Sequence, residues 1–187
     1  MDRMGKIGRV AAGGALAGML LMAATVWAAA PSAASLAEMS MQELNGRPAG
    51  LTLRSGKKDI RLSDYRGSVL MVHFWARCSA CMKEMPTLEA MYRRFNGKGL
   101  KFLAVNTEGL SNREAVEAMA KRLGVTFPVY FAAEGDVPES YWAAGEPQTY
   151  FIDAKGNLIA RAFGPRDWSS KEASAFISGL LKGNARK

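Results

Sequence analysis

The sequence is poor in cysteine and histidine, with two cysteines and one histidine among 187 residues. Both cysteines lie within Cys78–Cys81, whereas a scaffold held by disulfides would have cysteines spread along its chain. A structural zinc site needs about four nitrogen, sulfur or oxygen ligands, and one histidine with two cysteines does not supply them. The sequence therefore predicts no metal site.

Long apolar runs are absent except at the N-terminus, where Val10–Ala30 holds about 21 residues without charge, after three basic residues. This pattern predicts that residues 1–37 are a secretory signal or an N-terminal membrane anchor with a linker. Cleavage at Ala28–Ala30 or at Ser35–Ala37 and retention as a membrane helix both stay open. In either case the remaining chain is expected in the periplasm or another extracytoplasmic space, anchored to the inner membrane if the helix is retained.

Positive charge exceeds negative charge, with a formal net charge of +8. Residues 1–37 hold three basic and one acidic residue, so removing them subtracts two charges and leaves +6. The basic residues are scattered from Arg47 to Lys187, whereas a nucleic-acid surface gathers them on one face with aromatics interleaved. We expect a solvated basic surface and no nucleic-acid partner.

The remaining chain is predicted to form one α/β domain over residues 49–187, preceded by an approach segment over 38–48 with a helical patch at Ser40–Leu44. Strands and helices alternate along the domain, and the pattern predicts a mixed central sheet flanked by helices, with an N-terminal β-hairpin extension and an inserted helix and strand segment. The predicted elements are a hairpin over Leu51–Leu62, a strand at Val69–Trp75, a helix at Ser79–Phe95, a strand at Leu100–Asn106, a helix after the capping box Ser111–Glu114, a strand at Phe127–Phe131, helical turns at Asp136–Ala143, a hairpin over Tyr150–Phe163 and a closing helix after the capping box Ser169–Glu172.

The Cys-x-x-Cys motif follows a buried strand directly and opens a helix. Backbone N–H groups and the helix dipole at that position favour an anion, so the pKa of Cys78 is expected to be lowered and Cys78 to be the attacking thiolate. Cys81 lies one turn later, where it can resolve a mixed disulfide. Thiol–disulfide exchange is the chemistry that this motif predicts.

Over about residues 49–183 the chain resembles the thioredoxin-like thiol–disulfide oxidoreductases of TlpA/ResA type, which are membrane-tethered or periplasmic. The matching residues are Leu62–Gly67, Val69–Trp75, Cys78–Cys81, Glu84, Pro86, Gly145–Asp153 and Gly156. The resemblance implies a thioredoxin fold. It also implies a redox-active cysteine pair that works without a further cofactor.

The resemblance also assigns roles around the cysteines. Pro147 corresponds to the cis-proline that faces the cysteine pair, and Glu84 to an acidic residue that affects the pKa values of the thiols, although a solvated carboxylate is the alternative. His73 is interpreted either as a hydrogen-bonded core residue or as a proton relay to Cys81. The residues expected to line the substrate-binding surface are Trp75, Arg77, Glu146 and Gln148.

Three residues depart from the family pattern. Arg77 replaces the usual aromatic before the first cysteine, in a loop one residue shorter, and its charge would favour a thiolate at Cys78. Ala80 replaces the common proline, and Glu146 stands where apolar residues or threonine are common. A carboxylate at position 146 would oppose thiolate formation, so the redox potential stays open.

The resemblance implies a protein-disulfide reductase for exported proteins that carry disulfides, with apocytochrome c among the typical clients, and a membrane thiol electron donor. A dithiol oxidase running the exchange in reverse is the near alternative. A copper chaperone of the Sco kind needs a distant histidine ligand, and His73 lies on the strand behind the cysteines. A peroxidase of the related peroxiredoxins needs a threonine and an arginine around one cysteine in a different motif, which the sequence does not show.

Overall fold

The computed structural model describes residues 31–48, 50–55, 58–132, 141 and 145–185. Residues 1–30 of the predicted signal or anchor segment over 1–37 lie outside the described residues, as do the turn at residues 56–57 and most of the predicted helical turns at 136–143. Within the described ranges, no helix combines the length and the apolar character needed to cross a membrane.

The described residues form eight strands and four α-helices. The strands are β1 (Gln42–Gly46), β2 (Thr52–Ser55), β3 (Lys58–Arg61), β4 (Val69–Trp75), β5 (Leu100–Asn106), β6 (Val129–Ala132), β7 (Gln148–Ile152) and β8 (Leu158–Phe163). The helices are α1 (Ala33–Glu38), α2 (Ser79–Phe95), α3 (Arg113–Arg122) and α4 (Lys171–Ala185).

One sheet contains all eight strands in the order β1-β8-β7-β4-β5-β6-β2-β3. Strand β5 runs parallel to both of its neighbours, β4 and β6. The remaining strand pairs are antiparallel. The predicted mixed sheet is therefore confirmed. The predicted hairpin of β2 and β3 joins the sheet at its β6 edge.

Strand β4 is buried along its whole length and carries the site at its carboxyl end. Its side chains alternate between two faces, because successive residues of a strand point to opposite sides. Met71 and Trp75 join the core beneath α2 and α4, whereas Leu70 and Phe74 join the core on the other face. His73 lies two residues from both Met71 and Trp75 and is therefore on the same face of β4, so its side chain points toward α2.

Helix α2 begins and ends where the sequence predicts, and it continues through Pro86. The predicted helical patch at Ser40–Leu44 is wrong, because residues 42–46 form the edge strand β1 on the open side of β8. An open sheet edge offers unpaired N–H and C=O groups, and pairing with them outweighs weak local helix propensity. Helix α1 lies earlier, and its Leu36 is buried in the core.

The two predicted capping boxes are not found where the sequence placed them. Asn112 precedes α3 without a side-chain capping hydrogen bond, because a short 3-10 helix at Leu110–Asn112 leads into α3. At α4 the cap falls one residue later than predicted, since the Ser170 hydroxyl accepts the N–H of Ala173 (3.1 Å). Helix α4 extends to Ala185, beyond the predicted end near Leu181.

Candidate active site

Cys78 and Cys81 form a disulfide at the start of α2, with their Cα atoms 5.2 Å apart. Cys78 is the N-cap residue of α2, and its Sγ accepts a hydrogen bond from the Cys81 N–H (3.1 Å). Cys78 is partly exposed, whereas Cys81 is fully buried. The geometry therefore gives one sulfur that a partner molecule can reach, at a helix end that favours a negative charge.

Glu84 lies one helical turn after Cys81 and is 2% exposed, so it is not a solvated carboxylate. Its Oε1 accepts hydrogen bonds from the Trp168 indole N–H and from the Arg166 backbone N–H (3.1 Å). Burial raises the pKa of Glu84 to about 7, although these two hydrogen bonds and the Arg166 charge act to lower it. A carboxyl with this pKa can bind or release a proton near neutral pH.

His73 is fully buried on β4, beneath α2. Its Nδ1 is hydrogen-bonded to the Thr149 hydroxyl (2.9 Å), and its Nε2 lies 3.8 Å from Glu84 Oε2. Burial lowers the pKa of His73 to about 3, so the imidazole is neutral near pH 7. His73 is thus a hydrogen-bonded core residue, which is one of its two interpretations from sequence. Its role as a proton relay to Cys81 remains a prediction.

Arg77 is exposed and binds a neighbouring carboxylate. Its Nε and Nη2 each lie 2.6 Å from Oε2 of Glu108, and its backbone N–H donates to Oε1 (2.5 Å). These hydrogen bonds lower the pKa of Glu108 and keep it ionised. The charge that the sequence predicts beside Cys78 is therefore compensated within the site.

The peptide bond between Glu146 and Pro147 is cis, as the resemblance implies. Gln148 pairs with Phe74 in the sheet, so Pro147 lies next to the carboxyl end of β4, where the cysteine segment begins. The Glu146 carboxylate accepts a hydrogen bond from the Thr107 hydroxyl (2.8 Å). Glu146 is half-buried at this edge of the site and is held in place by the loop after β5.

Trp75 and Gln148, two of the four predicted substrate-binding residues, are buried, with exposures of 0% and 1%. Gln148 donates its amide N–H to the Gly145 carbonyl (2.7 Å) and accepts a hydrogen bond from the Tyr150 hydroxyl (2.9 Å). Trp75 belongs to the core around α2. Neither side chain offers a surface to a substrate in this structure, and the substrate-binding role expected of both remains a prediction.

Several residues of the site were missed by sequence reasoning, namely Thr107, Glu108, Thr149, Arg166 and Trp168. Each reaches the site from another element across a large sequence separation. A polar residue directly after a buried strand, as at Thr107 and Glu108, was the one available signal. Among the described residues, no group of three or more histidine, cysteine or acidic side chains could hold a metal ion.

The sequence profile of the AhpC/TSA family matches residues 44–161, more than half of the chain. The chain therefore belongs to this family. It is also similar to thiol–disulfide oxidoreductases named ResA. The relative from Geobacillus kaustophilus is 35% identical over 99 residues, which cover 52% of this chain and 56% of that protein. The one from Bacillus subtilis is 30% identical over 121 residues, which cover 64% and 66%.

The chain spans less than two thirds of the length of these curated relatives. Among solved structures, a protein from Chlorobium tepidum provisionally named thiol:disulfide interchange protein DsbE is similar with a TM-score of 0.64 and 25% identity, covering 75% of this chain and 99% of that one. A provisionally named thiol–disulfide oxidoreductase from Bacteroides vulgatus gives 0.60 and 27%, covering 73% and 96%. The thioredoxin fold and the resemblance to thiol–disulfide oxidoreductases are confirmed.

Proposed function

We propose that this protein is an extracytoplasmic thiol–disulfide oxidoreductase that reduces disulfides of exported proteins. The observation that carries the proposal is the Cys78–Cys81 disulfide at the N-terminus of α2, with a partly exposed Cys78 and a buried Cys81. The Cys81 N–H that donates to Cys78 Sγ is placed to stabilise a thiolate in the reduced form.

The reaction proceeds by two exchanges that balance in electrons. The Cys78 thiolate attacks one sulfur of a client disulfide, forms a mixed disulfide and releases the other client sulfur as a thiolate, which takes up a proton. Cys81 then loses its proton and attacks Cys78, which frees the second client thiolate and forms the intramolecular disulfide. Two electrons have moved to the client, and a thiol donor at the membrane must return them.

Two features of the site and one of the sequence support this assignment. The cis-Pro147 segment lies beside the cysteines, and by resemblance its neighbouring backbone is where an extended client stretch docks. Glu84 has a pKa of about 7, which suits proton exchange with the resolving thiol. Exported proteins, apocytochrome c among them, are the proposed clients because the N-terminal sequence has the pattern of an export signal.

The experiment is to trap clients on Cys78 in the variant Cys81→Ser, which cannot complete the second exchange. We expect exported disulfide-containing proteins to be recovered as mixed disulfides that reductant releases. The double variant with Cys78→Ser and Cys81→Ser is the matched control and should recover none. Equal recovery from both variants would contradict the proposal.

The direction of the exchange is measured by equilibrating the purified protein with glutathione. A reductase requires a potential clearly below about −150 mV, and a value near that of strong oxidants would assign the protein as a dithiol oxidase. A peroxide-consumption assay tests the peroxidase chemistry of other thioredoxin-fold proteins. We expect no peroxide consumption above that of the variant Cys78→Ser.

A further inference from the structure

His73 and Glu84 face each other inside the protein with one unsatisfied atom each. The side chains of both have no exposed surface, and His73 Nε2 lies 3.8 Å from Glu84 Oε2. Neither of these two atoms has a hydrogen-bond partner among the described residues. Because buried polar atoms are nearly always hydrogen-bonded, two such atoms that share a gap need a common explanation.

The opposite end of each side chain is fixed by a hydrogen bond. His73 Nδ1 is bound to the Thr149 hydroxyl on β7 (2.9 Å), and Glu84 Oε1 is bound by the Trp168 indole and the Arg166 backbone. These contacts orient Nε2 and Oε2 toward each other. Closing the gap from 3.8 Å to a hydrogen-bond distance of about 3.2 Å needs a movement of about 0.6 Å.

Among the described residues, the charge that acts on Glu84 is that of Arg166. Helix α2 contributes Cys81 one turn before Glu84, and the loop before α4 contributes Arg166. The Arg166 guanidinium is held by the carbonyls of Met39 and Ser40 (2.9 and 2.8 Å), and its charge lowers the pKa of Glu84 less than burial raises it. Thr149 on β7 and Trp168 are uncharged.

One proton satisfies both unpartnered atoms at once. A protonated Glu84 carboxyl has an O–H that can donate, and a neutral imidazole has a ring nitrogen that can accept. Burial favours the neutral form of both groups, with the pKa of Glu84 at about 7 and that of His73 at about 3. Below about pH 7 the proton therefore resides on the carboxyl, and above it Glu84 ionises.

We propose that His73 is a positioning residue for Glu84, in which imidazole Nε2 accepts a hydrogen bond from the protonated carboxyl and the buried pair holds a single exchangeable proton. In this arrangement His73 acts through Glu84 and not directly on Cys81. The proton site itself is independent of the proposed function, and its use in thiol–disulfide exchange rests on that function.

The sequence permits a clean measurement, because His73 is the single histidine of the chain. In the untagged, oxidised protein labelled with ¹⁵N, the imidazole resonances belong to His73 alone. We expect a neutral imidazole from about pH 5 upward, and an inflection of the Nε2 shift near pH 7 as Glu84 ionises. The variant Glu84→Gln should lose this inflection.

Glu117→Gln is the matched control, because Glu117 is an exposed carboxylate on α3 that pairs with Arg113. This variant should keep the inflection at the wild-type pH. A wild-type Nε2 shift that does not change between about pH 5 and pH 9, or an inflection that persists in Glu84→Gln, would overturn the proposal.

A second measurement covers the case in which Glu84→Gln does not fold. The infrared carbonyl frequency of a protonated carboxyl depends on its hydrogen bonding. The Glu84 band is the buried carboxyl band that disappears as the pH is raised through about 7. Replacing His73 with Asn should shift the frequency of this band. A band unchanged in His73→Asn would refute a hydrogen bond from Glu84 to His73. Neither measurement uses a client protein, so a protein without reductase activity would still show the proton pair.

Discussion

At the scale of single residues, the surroundings of Cys78 differ most from what the sequence predicts. Arg77 is an isolated positive charge in the sequence, but Glu108 binds both its guanidinium and its backbone N–H. The ion pair leaves little net charge next to Cys78. The helix N-terminus and the Cys81 N–H are then the main groups that stabilise a Cys78 thiolate.

Replacing Glu108 with Gln should therefore lower the pKa of Cys78. The amide keeps the size of the side chain but removes its charge, so Arg77 becomes uncompensated, and we expect a decrease of roughly 0.5–1 pH unit. The measurement is the alkylation rate of the reduced protein as a function of pH.

The control for this variant is Glu117→Gln, which breaks a comparable ion pair with Arg113 on α3. It should leave the alkylation profile unchanged. An unchanged or raised Cys78 pKa in Glu108→Gln would show that the Arg77 charge does not act on the sulfur.

At the scale of elements, helix α2 connects the cysteines to distant loops through two acidic side chains. Glu84 is bound by Arg166 and Trp168, and Glu89 accepts hydrogen bonds from the backbone N–H (2.7 Å) and the hydroxyl (2.5 Å) of Thr126. The apolar spacing of the helix predicts both of its ends. It gives no indication that two of its carboxylates are buried, because their partners come from other parts of the chain.

Replacing Glu89 with Ala should destabilise the protein by about 2 kcal/mol, because the Thr126 N–H loses a charged acceptor at a partly buried position. Glu89→Gln keeps an acceptor oxygen and should cost less. Urea unfolding of the oxidised proteins at neutral pH measures both values.

The exposed position Glu117 again gives the comparison, since Glu117→Ala removes a surface ion pair worth less than about 1 kcal/mol. Equal losses in Glu89→Ala and Glu117→Ala would mean that the contact with Thr126 contributes nothing to stability.

At the scale of the whole molecule, two buried titratable groups couple folding to pH with opposite signs. Burial raises the pKa of Glu84 from 4.5 to about 7, so between these values the folded state binds a proton that the unfolded state has released, and stability falls as pH rises. Burial lowers the pKa of His73 from 6.5 to about 3, so stability rises with pH across that window. The two effects oppose each other where the windows overlap.

Replacing Glu84 with Gln should remove the part of the folding stability that decreases as pH rises. Relative to wild type, the variant is expected to gain about 3 kcal/mol of stability between pH 4.5 and pH 7, since one pKa unit corresponds to about 1.36 kcal/mol. Urea unfolding at a series of pH values within this window measures the difference.

Glu117→Gln should show a difference from wild type that is constant over the same pH range. Parallel stability curves for wild type and Glu84→Gln would contradict the assigned pKa of Glu84 and the sign of its contribution.

Most regular elements could be predicted from the sequence, because each depends on a local pattern. The strand β4, the helix α2, the strand β5 and the hairpin of β7 and β8 are found close to the predicted positions. The strand β1 could not be predicted, because its backbone is extended only through pairing with β8, more than a hundred residues further along the chain.

The sequence by itself determined the position of the cysteine pair, since a buried strand followed by Cys-x-x-Cys and a helix is a contiguous signal. Only the tertiary structure decided what surrounds them. The partners of Arg77, Glu84 and His73 lie 31, 84 and 76 residues away along the chain. Such polar contacts leave no periodic pattern in the sequence. They form only when folding brings separate loops and strands to the same end of the sheet.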